Sequence, residues 1–213
     1  DTLATPGTAR SFPTGTGEMG LDVFLTRFNG KGQQVWGSYV GSMMGTALLT
    51  GMVTDECSNV YVTGPTFGMA DIQPTPDALK SFINGGTALS SYLMRYDAHN
   101  GTVQYSTYFG EDPMMPMTLN LCRDNGGNIY MIGTTTSDTG IATPGTWQTT
   151  RESVYNNMFL LQFVETGVSS SFTDTAVCVD GTFSLPYTAS GTFNSGNNFE
   201  VELSDSAGNF SYT

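Results

Sequence analysis

The stretch Asp124–Gly133, with the sequence DNGGNIYMIG, decides the fold class of this 213-residue chain, because a similar stretch lies 69 residues earlier. The earlier copy is Asp55–Gly64, with the sequence DECSNVYVTG. Both copies begin with polar turn residues and continue with alternating β-branched and aromatic residues, which is typical of a half-buried strand. Recurrence at a fixed spacing indicates a protein built from similar units.

Three further elements recur in the same order, at offsets of 67 to 70 residues. The sequence ATPG (4–7) returns as PTPD (74–77) and ATPG (142–145), FLTRF (24–28) returns as YLMRY (92–96) and FLLQF (159–163), and VWGSYVG (35–41) returns as QYSTYFG (104–110). We therefore divide the repeat region 1–167 into two complete units, 1–66 and 67–138, and a partial unit, 139–167.

Each complete unit contains four short alternating segments separated by turns. The turns 29–32 and 97–101 contain Asn-Gly, which supplies the positive φ that a hairpin requires. No segment keeps an apolar period of 3.6 residues, so the sequence does not favour helix. We predict an all-β protein in which each unit forms one four-stranded propeller-type blade, in about two and a half repeats.

These residues resemble the SBBP β-propeller repeat of secreted and surface proteins in Bacteroidetes and related bacteria. The resemblance rests on Asp-x-x-(Gly/Ser)-Asn-(Val/Ile)-Tyr-(Val/Met)-(Thr/Ile)-Gly, preceded by Trp-x-x-Tyr-x-Gly, and covers about residues 1–165. The first unit departs from it at Cys57 and Ser58, where the second unit has Gly-Gly. The resemblance implies propeller blades and a location outside the cell.

The remainder of the chain follows another pattern. Residues 168–174 are Ser-rich and are predicted to be a linker. In 175–213, Phe199, Val201 and Leu203 alternate with polar residues, and the run 191–205 resembles an immunoglobulin-like sandwich of the same surface proteins. Such a sandwich needs about seven strands, so we predict a partial domain and a fragment of a longer protein. The alternative is that neighbouring copies cover the open sheets.

Composition restricts the function. The net charge is −12, and all seven Lys and Arg lie between Arg10 and Arg151. A chain with so few basic residues does not fit nucleic-acid binding. It has no apolar run of about 18 residues, as a membrane span requires, and we expect no signal peptide from its first residues. The low charged share of 12%, with many small hydroxyl residues, is typical of secreted β proteins and predicts an extracellular or cell-surface location.

Few residues carry catalytic chemistry, and we predict no enzyme and no catalytic residue. The single histidine, His99, lies in a turn, where it is predicted to be solvated. The neighbouring carboxylates Asp55–Glu56 and Glu111–Asp112 lie in loops and are predicted to be surface groups. Phosphate-binding glycine loops are absent from the sequence.

The equivalent residues Asp55 and Asp124 are candidates for a metal site. With Asn59 and Asn128 they would supply oxygen ligands for Ca²⁺. The interpretation that we favour is an Asx-type turn, in which the carboxylate accepts backbone N–H groups. No cofactor is predicted.

Aromatic residues at 24, 28, 92, 96, 159 and 163 are predicted to fill the core between blades, and Trp36 and Trp147 are predicted to be buried. An exposed tryptophan would instead stack on a sugar. The cysteines Cys57, Cys122 and Cys178 are odd in number and widely spaced. They are predicted to be buried free thiols, with a bridge from Cys178 to another chain as the alternative.

Three Asp-(Ser/Thr)-aliphatic triplets place hydroxyls at Thr2, Thr175 and Ser206. They resemble the O-glycosylation motif of Bacteroidetes secreted proteins. The combined evidence predicts a non-catalytic structural or adhesion protein outside the cell. Its predicted partners are other domains of a long chain, neighbouring copies or surface glycans. The alternatives are a subunit of an extracellular filament and the carbohydrate-binding accessory region of a secreted enzyme.

Overall fold

The computed structural model describes residues 3–10, 23–40, 44–55, 58–69, 72–83, 89–109, 119–136, 141–150, 157–163, 167–170 and 187–190. Regular structure in these ranges is entirely β-strand, which confirms the all-β prediction. The strands are β1 (Val23–Phe28), β2 (Gln34–Val40), β3 (Met44–Ala47), β4 (Gly51–Thr54), β5 (Asn59–Met69), β6 (Leu89–Asp97), β7 (Val103–Phe109), β8 (Leu119–Arg123), β9 (Ile129–Thr135), β10 (Asn157–Phe163), β11 (Gly167–Ser170) and β12 (Tyr187–Ser190). In this part of the chain no helix is long and apolar enough to cross a membrane.

The strands pair antiparallel in four sheets. The first sheet is β1–β2, the middle sheet has β5, β6 and β7 in order with β3 and β4 both paired to β5, and the third sheet is β8–β9–β10. The small sheet is β11–β12. Strand β5 is the longest of them, and β4 and β3 pair with its first and second halves, respectively.

Equivalent hairpins have the same register, so the sequence repeat is also a structural repeat. In β1–β2, Arg27 lies opposite Trp36, and in β6–β7 the equivalent Arg95 lies opposite Tyr105. Each hairpin has a register shift directly after its arginine. The pairs Thr54–Val60 and Arg123–Ile129 likewise hold the same position in β4–β5 and β8–β9.

The boundaries of the sheets differ from the boundaries of the units. We predicted one sheet per unit, but the unit 1–66 contributes β1 and β2 to the first sheet and β3, β4 and β5 to the middle sheet. The reason is that β5 pairs along nine residues with β6, the first strand of the next unit. The middle and third sheets therefore each join the end of one unit to the beginning of the next.

The first and middle sheets share a core built around Trp36, Tyr92 and Tyr96, all of them buried. The indole Nε1 of Trp36 donates a hydrogen bond to the carbonyl oxygen of Ala98 at 2.6 Å, in the turn between β6 and β7. Its ring packs so closely on Gly101 that a Cβ there would lie 2.8 Å from the ring carbons. Burial raises the pKa of Tyr92 and of Tyr96 far above the ordinary value of 10.0, so both phenols are neutral.

The middle and third sheets share a second core. Tyr61, Leu93 and Phe109 of the middle sheet pack with side chains of the third sheet, namely Leu121, Ile129, Met131 and Phe159. The rings of Phe109 and Phe159 meet edge to face, with centroids 6.2 Å apart. Edge-to-face packing matches the positive ring edge to the negative ring face, which favours a fixed sheet spacing.

The predicted aromatic core is confirmed for the second and third copies and is wrong for the first. Tyr92, Tyr96 and Phe159 are buried, and Phe163 is partly buried against the second core. Phe24 and Phe28 are exposed instead. The reason is that among the described residues the side of β1 on which they lie has no sheet packed against it.

The chain divides into two compact parts, Asp1–Phe163 and Val164–Thr213. The second part contains β11 and β12, paired from Gly167 opposite Ser190 to Ser170 opposite Tyr187. Residues 168–170, which we predicted to belong to a linker, therefore lie in a strand. Most of the predicted immunoglobulin-like run 191–205 lies outside the described residues.

Candidate functional site

The carboxylate of Asp124 lies at the centre of the turn before β9. Its Oδ1 accepts the backbone N–H groups of Gly126 and Asn128, both at 2.9 Å. Its Oδ2 accepts Nδ2 of Asn128 at 2.8 Å and the hydroxyl of Tyr130 at 3.0 Å. Four donors thus converge on one carboxylate, and the tight turn is completed by Gly127 at φ 89°.

Asp55 repeats this arrangement before β5. The backbone N–H of Asn59 donates to Oδ1 at 2.8 Å, and Asn59 Nδ2 and the Tyr61 hydroxyl donate to Oδ2 at 2.7 and 3.2 Å. Ser58 takes the position of Gly127 and has φ 64°, a conformation that costs a residue with a side chain more than it costs glycine. The Asp, Asn and Tyr of the repeat motif therefore form one hydrogen-bonded turn, which we call the Asp-Asn-Tyr turn.

Hydrogen bonding sets the charge state of this turn. The side-chain hydrogen bond from Asn128, followed by backbone and Tyr130 hydrogen bonds, holds the pKa of Asp124 below its ordinary value of 3.8. The hydrogen bond between Tyr130 and Asp124 raises the pKa of the Tyr130 hydroxyl. A Ca²⁺ ion on Asp55 or Asp124 would have to displace these donors. The Asx-type turn that we favoured is confirmed, and the described residues contain no group of three or more His, Cys, Asp or Glu placed to hold a metal ion.

The lowered pKa of Asp124 makes stability depend on pH. Because folding lowers this pKa, the carboxylate stabilises the fold above about pH 4, and the contribution is lost as the pH falls through the folded value. We expect Asp124→Asn to lower the free energy of unfolding at pH 7 and to flatten its decline between about pH 5 and pH 2. Urea denaturation across that range measures both effects. Asn128→Ala should flatten the decline over the same pH range. If the free energy of unfolding of both variants declined as steeply as that of the wild type, the role given to Asp124 would be contradicted.

The turn around His99 uses another aspartate in the same way. Asp97 Oδ1 accepts the backbone N–H of His99 at 2.7 Å and lies 3.1 Å from its Nδ1, while Asn100 donates to Oδ2 at 3.0 Å. These bonds, led by the backbone bond from His99, lower the pKa of Asp97. The His99 side chain is exposed, which confirms the predicted solvated turn residue.

The first two of the recurring Thr-Pro segments cover the edges of sheets, a role that sequence reasoning missed. Thr5 N–H donates to the carbonyl of Gly37 at 2.8 Å, and Gly37 N–H donates to Thr5 Oγ1 at 3.2 Å. Thr75 makes the same two bonds to Ser106 on β7, at 3.0 and 3.2 Å. Uncovered strand edges invite pairing with other chains, so these segments protect β2 and β7. The recurrence of ATPG was the available signal.

Trp147 is the most exposed large apolar side chain in the described part of the chain, so the prediction that it is buried is wrong. It lies in the third Thr-Pro segment, at the position of Ala9 and Leu79, which are exposed as well. The prediction is confirmed for Trp36. Cys122 is a free thiol but an exposed one, because its side of β8 faces away from the second core.

Several predicted positions lie outside the described residues. They are the glycosylation candidates Thr2, Thr175 and Ser206, the carboxylates Glu56, Glu111 and Asp112, and the thiols Cys57 and Cys178.

A cavity of about 250 Å³ is lined by residues that include Arg10, Gln73, Met94 and Tyr96. Arg10 and Gln73 already have interactions within the protein. These two polar side chains are therefore already used within the protein, and we assign no ligand to the cavity.

No protein-family model matches the chain, and no curated protein matches it significantly. The fold and its recurring contacts define a repeat protein of stacked antiparallel sheets.

Proposed function

We propose that this chain is a non-catalytic structural or adhesion protein of the cell surface or extracellular space, with repeats that form SBBP-type propeller blades. The observation that carries the proposal is the use of the recurring polar residues. The Asp-Asn-Tyr turns fix the hairpins, and the Thr-Pro segments cover the strand edges. The residues that define the repeat thus hold the scaffold together.

The placement of the perturbed carboxylates supports this proposal. Catalytic groups commonly combine a shifted pKa with a position in a cleft. Asp97 and Asp124 have lowered pKa values, but each lies in an exposed turn and is saturated by hydrogen bonds from its own turn. These hydrogen bonds stabilise the ionised carboxylates, and the ionised carboxylates in turn hold the turns in place.

In this proposal the repeats and an immunoglobulin-like spacer belong to a longer surface protein of a Bacteroidetes-like bacterium. Its partners are the other domains of that protein, neighbouring copies or surface glycans. The low charged share of 12%, with many small hydroxyl residues, supports the proposed location, because it is typical of secreted β proteins.

Exposure of the intact producing cells to a protease tests the location. We expect protease to remove the protein from intact cells, while a cytosolic enzyme in the same sample remains whole. Protection of the protein until the cells are lysed would refute the surface location. The amounts of the protein in washed membranes and in the culture medium should be measured in parallel.

The exposed Trp147 favours a second function, as part of a carbohydrate-binding accessory region. Its indole presents an uncovered apolar ring with a polar N–H, which suits stacking on a sugar. Binding of the chain and of Trp147→Ala to immobilised glycans tests this function. Glycan binding that the substitution abolishes would favour it, and equal binding by both chains would exclude Trp147 as the sugar platform.

We also propose O-glycosylation at Thr2, Thr175 and Ser206. Peptides that carry these positions, cut from the natively produced protein, should then exceed the masses of the unmodified peptides by whole sugar residues. Alanine at the three positions should remove that excess, and peptide masses equal to those of the unmodified peptides would refute the modification.

A further inference from the structure

Each sheet in Asp1–Phe163 has a front face and a back face, and the repeat places equivalent residues on the same face of each sheet. The front face carries Phe24 and Phe28 in the first sheet, Tyr92 and Tyr96 in the middle sheet, and Phe159 and Phe163 in the third sheet. The back face carries the next residue along the same strand, namely Leu25, Leu93 and Leu160, respectively. These assignments follow from the alternation of side chains along the strands β1, β6 and β10.

Contact between a back face and a front face occurs twice within the molecule. Leu25 on the back of the first sheet belongs to one buried cluster with Tyr92 and Tyr96 on the front of the middle sheet. Leu93 on the back of the middle sheet belongs to a second cluster with Phe159 on the front of the third sheet. One kind of interface, a leucine-bearing back against an aromatic front, therefore recurs.

In the described part of the chain, the back face of the third sheet is open. Leu160 is 67% exposed, whereas its equivalent Leu93 is 2% exposed. Ile132 lies opposite Leu160 in the ladder, and Met158 lies two residues away on the same face, and both are exposed. At the equivalent positions the middle sheet has Thr63 and Ser91, which are buried. At these two positions the open face thus carries larger apolar side chains than the covered one, as an interaction surface would.

The front face of the first sheet is open as well. Phe24 is 49% exposed, whereas its equivalent Tyr92 is 0% exposed. Phe28 is exposed, whereas its equivalent Tyr96 is buried. One molecule therefore presents both halves of the interface that it already makes twice inside itself.

We infer that the back face of the third sheet binds the front face of the first sheet of a second copy, so that copies associate head to tail. A second copy is the occupant because it brings the same aromatic pair that covers the equivalent back faces internally. Such an interface joins two different surfaces and gives a ring if its rotation closes and a filament if it does not. Each copy carries a charge of −12, so association should strengthen as salt screens the repulsion.

This inference rests on the structural part of the proposed function, since it names the partner of the scaffold, and it does not depend on where the protein is located. Protease treatment of intact cells tests location, and association of the purified chain tests the interface. The two proposals therefore fail independently.

Sedimentation velocity of the purified chain over a range of concentrations, at low and at raised salt, tests the interface. We expect assembly that grows with concentration and salt. Leu160→Glu and Phe24→Glu should each weaken it at least tenfold in apparent Kd. Leu79→Glu is the matched control, because Leu79 is more exposed than Leu160 and Phe24 but lies on a Thr-Pro segment, and it should assemble like the wild type. Leu160→Gln gives a milder second variant, and circular dichroism verifies that each variant is folded.

Mixing the two broken variants distinguishes head-to-tail association from other arrangements. Leu160→Glu keeps an intact front face and Phe24→Glu keeps an intact back face, so an equimolar mixture should form heterodimers that neither variant forms alone. If Phe24→Glu alone assembles like the wild type, the contact is back to back and the inference is wrong. A wild-type chain that remains monomeric at the highest concentration and raised salt would also overturn it.

Discussion

Replacement of Trp36 with alanine is expected to lower the free energy of unfolding by about 3–5 kcal/mol, the range for truncating a large buried aromatic side chain. Trp36 is 3% exposed and lies in the core between the first and middle sheets. Its ring packs directly on Gly101, where a Cβ would lie 2.8 Å from the ring carbons, so truncation to alanine leaves a cavity. The substitution should loosen the first sheet from the middle one.

Loss of the indole hydrogen bond is the smaller part of this effect. The carbonyl of Ala98 accepts Nε1 of Trp36 at 2.6 Å and also Nη1 of Arg27 at 2.7 Å. After substitution this oxygen keeps one donor, so a buried unsatisfied acceptor is avoided. Trp36→Phe, which retains most of the ring, should therefore be less harmful than Trp36→Ala.

Trp147→Ala is the matched control, because it removes the same side chain from a fully exposed position. We expect a change within about 0.5 kcal/mol, as for most surface substitutions. Urea denaturation followed by far-ultraviolet circular dichroism is the suitable measurement, since each variant removes one of the two tryptophans that fluorescence would report. Equal losses in the two variants would contradict the role of Trp36 in joining the sheets.

Replacement of Gly64 with alanine is expected to cost about 3 kcal/mol, the upper part of the usual range for overpacking. A Cβ on Gly64 would collide with the backbone carbonyl of Leu48. That carbonyl is held in place, because Leu48 N–H donates to Pro65 at 3.0 Å and the Tyr92 hydroxyl donates to the Leu48 oxygen at 2.8 Å. Backbone held in this way does not move aside as the end of a side chain does.

Gly30→Ala serves as the control for this substitution. Gly30 lies in the turn between β1 and β2, and a Cβ there would meet nothing within 4 Å. Its free energy of unfolding should change by less than about 0.5 kcal/mol, as expected for a surface position. If Gly64→Ala lowers the free energy of unfolding no more than Gly30→Ala does, the close approach of β5 to Leu48 does not require glycine at position 64.

The turns could be anticipated from the sequence because they are local. Asp124 and Asn128 are four residues apart, and short polar side chains at that spacing reach each other and the backbone between them. The contact between Asp97 and the backbone N–H of His99, two residues further on, is local as well. The two hairpins share one register, as their repeated sequences require, since Arg27 and Arg95 take the same position in their ladders.

The boundaries of the sheets could not be anticipated, because the choice is between neighbours of similar sequence. Strand β5 had candidate partners within its unit and in the following unit, and it pairs with both β4 and β6. Hydrogen bonds from Thr5 and Thr75 to the outer edges of β2 and β7 end the sheets there. These contacts join residues about 30 positions apart, which no local pattern specifies.

The sequence by itself determined the all-β class, the repeat and the hydrogen-bonded turns, because alternation and short-range polar contacts depend only on residues that are neighbours in the sequence. Only the tertiary structure decided which copy of each repeated side chain is buried. Phe24 and Tyr92 are equivalent in sequence, as are Leu160 and Leu93, yet one of each pair is exposed and the other is covered. Burial depends on whether another sheet packs on that face, and this is a property of the stack that the residue and its neighbours in sequence do not contain.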